Sequence, residues 1–382
     1  MHISNRIRSI RPLATTALHG RAEQLKAQGH DVIDLAIAIS DQPAPHSVIE
    51  RITEGLRTQR QPYTSVVGDD SLRQSLVHKL KIENGIDAAP NEIIVTNGAK
   101  QAVYEALYAL TDPGDSVIVF RPYWPANVAI PELQGVKPIL VDLPDEVTPE
   151  LLAALPPARA MLLNNPHNPS GKVFTRKELE HIRDWALKNK VQVICDECYE
   201  KLIYEGEHVS FATLCDWREA GVVTIFSASQ SYAMMGWRAG FALAPAPVVQ
   251  AMEALQGPIT AAASAITQTA AAAAFAIGDP VALKENYRMR RDVAVKLFAN
   301  APWAKTHSLH SGPYLWVDIS ALTTDTLAFV EALLEKEKIA VMPGEALGCK
   351  GFIRLSFISH EADILRKAAA RIIAFGNSWK AR

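Results

Sequence analysis

Several short apolar runs of this sequence end in polar residues that suit the binding of a charged ligand. The clearest is EIIVTNGAK, in which a strand-like run leads through residues 96–100 into a helical pattern. The first turn of a helix presents backbone N–H groups that have no partner inside the helix, and such groups bind phosphate or carboxylate. This junction therefore predicts an anion site. Ser227, Ser229 and Arg238 stand in a comparable position after the run VVTIF.

Two further runs are followed by residues that could bind a small molecule. The run LLN leads into a turn-rich loop with amide side chains at 165–171, and VQVIC is followed by Asp196 and Tyr199. Taken singly, Asn168 has an ordinary reading as a turn former and Asp196 as a helix cap. Their joint position after successive strands is less easily explained by turns and caps, and it indicates one shared site.

The elements that must position these residues alternate between helices and strands. Helical periodicity is present in SVIERITEGLRT and KQAVYEALYAL, whereas DSVIVF, RAMLLNN, VQVICDE and VVTIFSAS have the length and composition of buried strands. This alternation is typical of parallel βαβ units with helices on both faces of a sheet. Ligands of such sheets bind beyond the carboxyl ends of the strands, which is where the polar residues stand.

A second pattern begins near residue 285. The helical segment KENYRMRRDVAVKLF is followed by the strand-like GPYLWVDI, the helix DTLAFVEALLEKEK, the strands IAVMPG and FIRLSF, and a closing helix from about Ala362 to Phe375. Few strands, each accompanied by a single helix, predict a smaller α+β domain.

Composition and charge exclude several classes of protein. The 382 residues carry 39 Lys and Arg against 41 Asp and Glu, a formal net charge of −2, whereas nucleic-acid and anionic-membrane binders normally have a basic excess. Arg6, Arg8 and Arg11 are not followed by an apolar stretch, so no secretory signal is expected. The uncharged segment 256–278 is rich in Ala and is predicted to be a buried helix, not a membrane span.

The glycines and cysteines argue against other common cofactors and cross-links. None of the 20 glycines forms a Gly-x-Gly, so neither a dinucleotide fingerprint nor a phosphate-binding P-loop is present. Only 4 cysteines occur, which excludes a disulfide scaffold and favours a reducing cytoplasm. Cys195 and Cys198 form a single Cys-x-x-Cys without a second pair or a histidine at metal spacing, so no metal site is predicted.

Seven ordered motifs resemble the class I and II aminotransferases, which have fold type I of the enzymes that use pyridoxal 5′-phosphate (PLP). They are TNGAKQA, PYW, NNPHNPSGKVF, DECYEKLIYEG, SYAMMGWRAG, VMPG and IRLSF, and the resemblance extends from residue 31 to residue 357. It implies an α/β fold with a large, mostly parallel, three-layer αβα domain over residues 47–284. A small α+β domain would cover 285–382, with 1–46 forming an N-terminal arm and part of that small domain.

The resemblance also implies how the cofactor is held. The residues that correspond to phosphate ligands are Gly98, Ala99, Ser227 and Arg238, and Lys100 and Ser229 are counted with the cofactor-binding residues. Asp196 would keep the pyridine nitrogen protonated, which improves the ring as an electron acceptor. Asn168 and Tyr199 correspond to ligands of the ring oxygen, and Trp124 to the residue that stacks on the ring.

The implied substrates are an amino acid and a 2-oxo acid. Arg354 corresponds to the residue that pairs with the α-carboxylate, and Ala38 and Asn168 to its neighbours in the substrate site. Ala38 stands where the family has Gly, Ser40 where it has Pro and Asn127 where Tyr is frequent, departures that fit an unusual substrate. Tyr63 corresponds to a residue that reaches the phosphate of the neighbouring subunit, which implies a homodimer with shared active sites. The expected protein is cytoplasmic, with no nucleic-acid or membrane partner.

One further departure from the family affects the chemistry itself. The lysine that forms the Schiff base with PLP lies eight residues before the phosphate-binding arginine, and the residue eight before Arg238 is Gln230. No lysine occurs between Lys201 and Lys284, so a small shift in alignment does not supply one. A carboxamide forms no imine and has no useful basicity. Loss of a positioned base costs about 10² to 10⁴ in rate.

The preferred interpretation is a PLP-dependent aminotransferase-like enzyme that transfers the α-amino group of an amino acid to a 2-oxo acid. Gln230, Asp196 and Tyr199 would lie at its reacting centre, and the Gln230 form is expected to be impaired. Three explanations for Gln230 stay open. The lysine was exchanged by design to trap a substrate complex; or the chain is a lysine-less lyase, decarboxylase or oxidase that uses PLP or pyridoxamine phosphate with another base; or it is a non-catalytic PLP-binding relative.

Overall fold

The computed structural model of the chain describes residue 3 and residues 14–58, 60–306 and 309–379. Its helices are α1 Ala14–Ala27, α2 His46–Thr58, α3 Asp70–Asn84, α4 Ala99–Leu110, α5 Ala126–Leu133, α6 Pro149–Ala153, α7 Arg176–Asn189, α8 Ala228–Ser231, α9 Ala246–Thr260, α10 Ala265–Ala276, α11 Val281–Phe298, α12 Thr326–Glu337 and α13 Ala362–Ser378. Its strands are β1 Ile33–Asp34, β2 Ile93–Asn97, β3 Ser116–Arg121, β4 Lys137–Asp142, β5 Ala160–Asn164, β6 Gln192–Asp196, β7 Val223–Ser227, β8 Ala239–Leu243, β9 Lys305–Thr306, β10 Tyr314–Asp318, β11 Ile339–Ala340, β12 Met342–Pro343 and β13 Phe352–Ser356. Arg6, Arg8 and Arg11, which bear on the predicted lack of a secretory signal, lie outside the described residues.

A seven-stranded sheet with the order β2-β8-β7-β6-β5-β3-β4 forms the centre of the fold. Its strands run in one direction except β8, which is antiparallel to both β2 and β7. Parallel strands require crossover connections that place helices on the sheet faces, and β5, β7 and β8 are accordingly buried along their whole length. The predicted α/β fold with a mostly parallel sheet is confirmed.

The reversed strand β8 brings residues that are distant in sequence to one edge of the sheet. Asn97 at the end of β2 pairs with Ala239 at the start of β8, and Ser227 at the end of β7 pairs with the next residue of β8. Asn164 and Asp196, at the ends of β5 and β6, pair with each other. The polar residues that follow these strands therefore lie along the same edge.

A second sheet, with the order β12-β13-β10-β9, is antiparallel. β1 pairs in parallel with β11, so the segment before α2 joins the C-terminal part of the chain. Apolar side chains of α11, α12 and α13, among them Phe298, Phe329 and Ile372, pack with these strands in a core of their own. The domain boundaries at residues 46 and 284 stay predictions.

The Ala-rich segment 256–278 differs from the single helix that the sequence predicts. α9 ends at Thr260, and Ala261 has a φ of 60°, a left-handed conformation that cannot continue a right-handed helix. α10 then begins at Ala265 and packs against α2 and α3. Among the described residues no single helix is long and apolar enough to cross a membrane; α10 and α11 together pass that test, but the pair is bent by 82°.

Buried charges attach α3 to the loop that follows β6. The Lys79 ammonium forms an ion pair with Glu200 and donates a hydrogen bond to Asn84 Oδ1 at 2.7 Å. Asn84 Nδ2 donates in turn to the other Glu200 oxygen at 2.6 Å. Lys79 Nζ also lies 4.5 Å from the centre of the Phe226 ring. Because Glu200 directly follows Tyr199, this network fixes the position of a predicted site residue.

Replacing Lys79 tests how strongly that network holds the fold. The change Lys79→Met leaves the Glu200 carboxylate buried without its cation, so we expect the free energy of unfolding to fall by about 3 kcal/mol. Lys177→Met is the matched control, because Lys177 pairs with Glu146 at the exposed surface and its loss costs less than about 1 kcal/mol. Denaturant unfolding followed by circular dichroism measures both; equal effects would contradict the structural role of the network.

Candidate functional site

A cavity of about 310 Å³ opens at the carboxyl edge of the seven-stranded sheet. Most of the residues predicted for the site line it: Ala38, Ala99, Lys100, Trp124, Asn168, Asp196, Tyr199, Ser227, Ser229, Gln230 and Arg238. Gly98, Tyr63 and Arg354 do not. A larger cavity of about 540 Å³ lies beside α6 and α7, but none of the predicted site residues lines it.

The positive end of the cavity is formed where α4 begins. Gly98 precedes α4 with a φ of 79° and, as a glycine, has no side chain to cap the first helical N–H groups. A methyl group at Gly98 would overlap the Arg238 guanidinium, so the close approach of these two residues requires glycine. Arg238 Nη1 donates to the Met235 carbonyl at 2.8 Å, which holds the guanidinium in place. A helix start and an arginine side by side are suited to bind a phosphate group.

Ser227 and Ser229 form a second part of this end. The Ser227 hydroxyl oxygen accepts a hydrogen bond from the Ser229 backbone N–H at 3.0 Å and lies 2.9 Å from the Ser229 hydroxyl. It also donates to the Ala239 carbonyl at 3.2 Å. The two hydroxyl groups are therefore fixed at the junction of β7 and α8, beside the start of β8.

A buried carboxylate, Asp196, lines another part of the cavity. Its Oδ1 accepts from the Cys198 backbone N–H at 3.1 Å, and no described residue forms an ion pair with it. Burial raises the pKa of this carboxyl group. Its neighbour Glu197 does not line the cavity, and its carboxylate lies 2.9 Å from His208 Nε2. Asp196 is therefore the carboxylate that is available to a cationic group of a ligand.

Asn168 joins three parts of the site. Asn168 Nδ2 donates to the Tyr199 hydroxyl at 3.0 Å, while its backbone N–H donates to Asn164 Oδ1 at 2.8 Å. Its Oδ1 accepts from Arg354 Nη1 at 3.3 Å. The polar end of this side chain thus has partners on both sides, which fixes its orientation in the cavity.

Arg354 lies directly behind the cavity wall. Its side chain is buried; Nη2 donates to the Ala36 carbonyl at 2.9 Å, and the guanidinium carbon lies 3.9 Å from the centre of the Tyr314 ring. Its Nε has no hydrogen-bond partner within the described part of the chain. Arg354 contacts Asn168 and Tyr314, which both line the cavity, so a ligand carboxylate would reach the guanidinium beside these two side chains.

Gln230 stands between the N-terminal loop and the cavity. Its Nε2 donates to the Ala38 carbonyl at 3.4 Å, which joins two segments far apart in sequence. Its Oε1 is buried and has no hydrogen-bond partner among the described residues. A buried carbonyl oxygen without a donor is costly, so this oxygen is available to a donor group of a ligand.

The side chain of Lys100 also lines the cavity. Its Nζ lies 5.2 Å from the centre of the Trp124 ring and forms no ion pair with any described residue. Partial burial lowers the pKa of the ammonium group, and repulsion from the Arg238 guanidinium lowers it further. The family resemblance placed Lys100 among the cofactor-binding residues, but nothing in the sequence distinguishes that role from contact with another anion.

Sequence reasoning missed several residues that line the cavity. They are Ile37, Ile39, Asn164, Cys198, Met235 and Tyr314. Asn164 ends β5, and the rule that ligands bind at strand ends would have found it. Tyr314 belongs to β10 of the other sheet, and no spacing in the sequence indicates that it approaches β6. Tyr63 is 96% exposed in the single chain and lies outside this cavity.

Comparison with known proteins agrees with this geometry. The family model described as aminotransferase class I and II matches residues 30–372. Aspartate aminotransferase of Geobacillus stearothermophilus is 33% identical over 391 residues, which cover 98% of this chain and 99% of that protein. Aspartate/prephenate aminotransferase of Thermus thermophilus is 33% identical over 383 residues, which cover 97% of each. The structure of Thermus thermophilus aspartate aminotransferase with maleate has a TM-score of 0.92 at 32% identity and covers 98% of this chain and 100% of its own. Because the match spans nearly all of both sequences and structures, the chain belongs to the class I and II aminotransferases.

Proposed function

We propose that this cavity binds PLP and an amino-acid substrate, and that amino transfer from the α-amino group to a 2-oxo acid is slow because Gln230 occupies the position of the family's lysine. Enzymes of this family are PLP-dependent aminotransferases. When bound, the cofactor supplies an aldehyde or amine that carries the amino group and a ring that accepts electrons. The single observation that carries the proposal is the position of the Gln230 carboxamide in the wall of the cavity.

The residues of the cavity fit the cofactor at both ends. The start of α4, with Arg238 and Ser227, offers N–H, guanidinium and hydroxyl donors to a phosphate dianion. At Asp196, a raised pKa and the lack of a cationic partner fit a protonated pyridine nitrogen, which would restore the charged carboxylate. Asn168 and Tyr199 would bind the ring oxygen, and Trp124 would cover the ring face.

Gln230 separates binding from chemistry in this proposal. The Gln230 amide donates a hydrogen bond to the Ala38 carbonyl, which holds the segment around residue 230 in position without a lysine. The residues that would bind the phosphate and the ring are those that the family resemblance implies. A carboxamide has no lone pair on nitrogen with useful basicity, so it neither bonds to the aldehyde nor moves a proton at the substrate α-carbon. We therefore expect retained cofactor binding with impaired transfer.

Two cations support an acidic substrate. Arg354 would bind the α-carboxylate, as predicted from the family, and the Lys100 ammonium, which has no carboxylate partner among the described residues, would bind a second carboxylate. The relatives are named aspartate and aspartate/prephenate aminotransferases, and one structure is described with maleate, a dicarboxylate. We propose an amino acid with a carboxylate in its side chain.

A non-catalytic role is the competing proposal, and the missing amine at position 230 is the observation that favours it. Such a protein would bind PLP with the same residues and release no product. A lysine-less enzyme of another reaction type would instead turn over with Gln230 in place. Product analysis on the unchanged chain distinguishes these two from an impaired aminotransferase.

The homodimer is a further part of the proposal. Tyr63 is 96% exposed in the single chain, beside the surface groove that contains Pro62 and the segment 260–266. A large aromatic side chain in that position is suited to contact with a second subunit. We propose that it reaches the phosphate group in the neighbouring cavity, as the family resemblance implies.

Restoring the lysine tests the role of Gln230. In the presence of PLP and an amino acid, Gln230→Lys should convert the cofactor to its amine form at least about 100-fold faster than the unchanged chain, because it regains the positioned base. Stopped-flow absorbance of the cofactor measures this half-reaction. Gln230→Met, a side chain of similar length without an amine, is the control and should stay slow. Equal rates for the unchanged chain and Gln230→Lys would refute the impairment.

The acidic-substrate proposal is tested in the Gln230→Lys background, where rates are measurable. Lys100→Met should raise the KM for aspartate at least about tenfold, the worth of one charge-assisted hydrogen bond, and leave the KM for alanine within about twofold. Arg354→Lys, which keeps the charge but loses the fork, should raise both. Since the pKa of Lys100 is lowered, its cation is lost at a lower pH than that of a free lysine, and the KM for aspartate should rise there. A proportional change for both substrates in Lys100→Met would contradict the assignment.

Hybrid dimers test whether Tyr63 serves the neighbouring site. Tyr63→Phe and Arg238→Ala should each weaken PLP binding. After the two variants are mixed and allowed to exchange subunits, tight sites should reappear, because each hybrid contains one site with both natural residues. Equilibrium dialysis detects that tight fraction. Native mass spectrometry verifies that subunits have exchanged. If no tight sites reappear in such a sample, Tyr63 does not contribute to the neighbouring subunit's site.

A further inference from the structure

We propose that the cavity selects the amine form of the cofactor, pyridoxamine phosphate, over the aldehyde form, PLP, and that Gln230 is the residue that selects it. This inference rests on the proposed function, because the cavity must first be the cofactor site. It concerns the group at C4′ of the cofactor, which is an amine in one form and an aldehyde in the other.

The orientation of the Gln230 amide follows from its neighbour. The Ala38 backbone carbonyl can only accept a hydrogen bond, so the amide group turns its nitrogen toward it, and Nε2 donates at 3.4 Å. The opposite orientation would bring two acceptor oxygens together. The oxygen of Gln230 is therefore the end that is left for another partner.

That oxygen lacks a donor. Oε1 is buried and without a hydrogen-bond partner among the described residues, although Gln230 is one of the residues that line the cavity. An unsatisfied buried acceptor loses more free energy than a typical hydrogen bond gains, so a ligand with a donor at this point is favoured.

The two cofactor forms differ in what they offer to Oε1. An ammonium or amine at C4′ donates hydrogen bonds, and a charged donor is stronger than a neutral one. An aldehyde has only an acceptor oxygen; it could use the second hydrogen of Nε2, a neutral contact, and would leave Oε1 unsatisfied. Both effects favour the amine.

The lack of a positive charge at position 230 also favours the amine form. The lysine of the family, when it is not bonded to the cofactor, is a cation that repels an ammonium at C4′ and, when it is bonded, holds the aldehyde form covalently. Gln230 removes both effects at once. Lys100 and Arg238 also line the cavity, but their charges are the same in every variant at position 230, so a comparison of these variants isolates the effect of that residue.

Direct binding measurements test the selection without any turnover. Equilibrium dialysis of the unchanged chain is carried out with pyridoxamine phosphate and with PLP, and only the binding that excess pyridoxine phosphate displaces is counted, which removes PLP attached to surface lysines. We expect pyridoxamine phosphate to bind at least about tenfold more tightly, the worth of one hydrogen bond to a charged group.

Two variants assign the selection to Gln230. Gln230→Met keeps the length of the side chain without its amide, and should bring the two dissociation constants within about threefold of each other. Gln230→Lys should reverse the preference, because the lysine bonds to the aldehyde and repels the ammonium. A preference for PLP in the unchanged chain, or an unaltered ratio in Gln230→Met, would overturn the inference.

Pyridoxine phosphate, with an alcohol at C4′, separates this inference from the proposed function. If it binds and the amine and aldehyde forms bind equally, the cavity is a cofactor site and only the selection by Gln230 is wrong. If none of the three compounds binds to the folded chain, the proposed function fails and the selection fails with it.

Discussion

The antiparallel course of β8 is the constraint on which the site depends. The six other strands of the sheet bring their carboxyl ends to one edge, but β8 starts there, next to the ends of β2 and β7. The residue before it, Arg238, therefore meets Gly98 at the start of α4, and a glycine is required because any larger side chain would overlap the guanidinium. The helix start, the arginine and the serine hydroxyls therefore lie together at one end of the cavity, in an arrangement suited to an anion.

Asp196 contributes a negative charge to the same cavity. Its carboxylate is buried, its pKa is raised, and the described residues give it no cation, so it is available to a positively charged group of a ligand. The ion pair between Lys79 and Glu200 fixes the loop that follows β6. The Asn168 side chain connects Tyr199, in that loop, with Arg354. Within this frame Gln230 is compatible with the fold, because its amide bonds to Ala38. The frame thus accommodates a carboxamide at position 230.

Sequence reasoning identified the residues that directly follow strands, because strand ends share one edge in a parallel sheet. Asp196, Asn168 and Ser227 were found in this way. Tyr314 could not be found, since its approach depends on how the second sheet packs against the first. The sequence also could not show that the Lys100 ammonium has no carboxylate partner among the described residues, because that depends on the three-dimensional surroundings of the side chain. The break at Ala261 depends on one left-handed residue that an Ala-rich composition does not reveal.

The central claim is that this cavity binds the cofactor without a covalent bond. The most direct measurement is borohydride reduction of the unchanged chain after incubation with PLP, followed by peptide mass spectrometry, with pyridoxine phosphate as competitor. Lys100 is the lysine that lines the cavity and is the one to examine. The account predicts PLP binding that pyridoxine phosphate displaces, and no reduced cofactor on Lys100. Stoichiometric reduced cofactor on Lys100, prevented by pyridoxine phosphate, would contradict it.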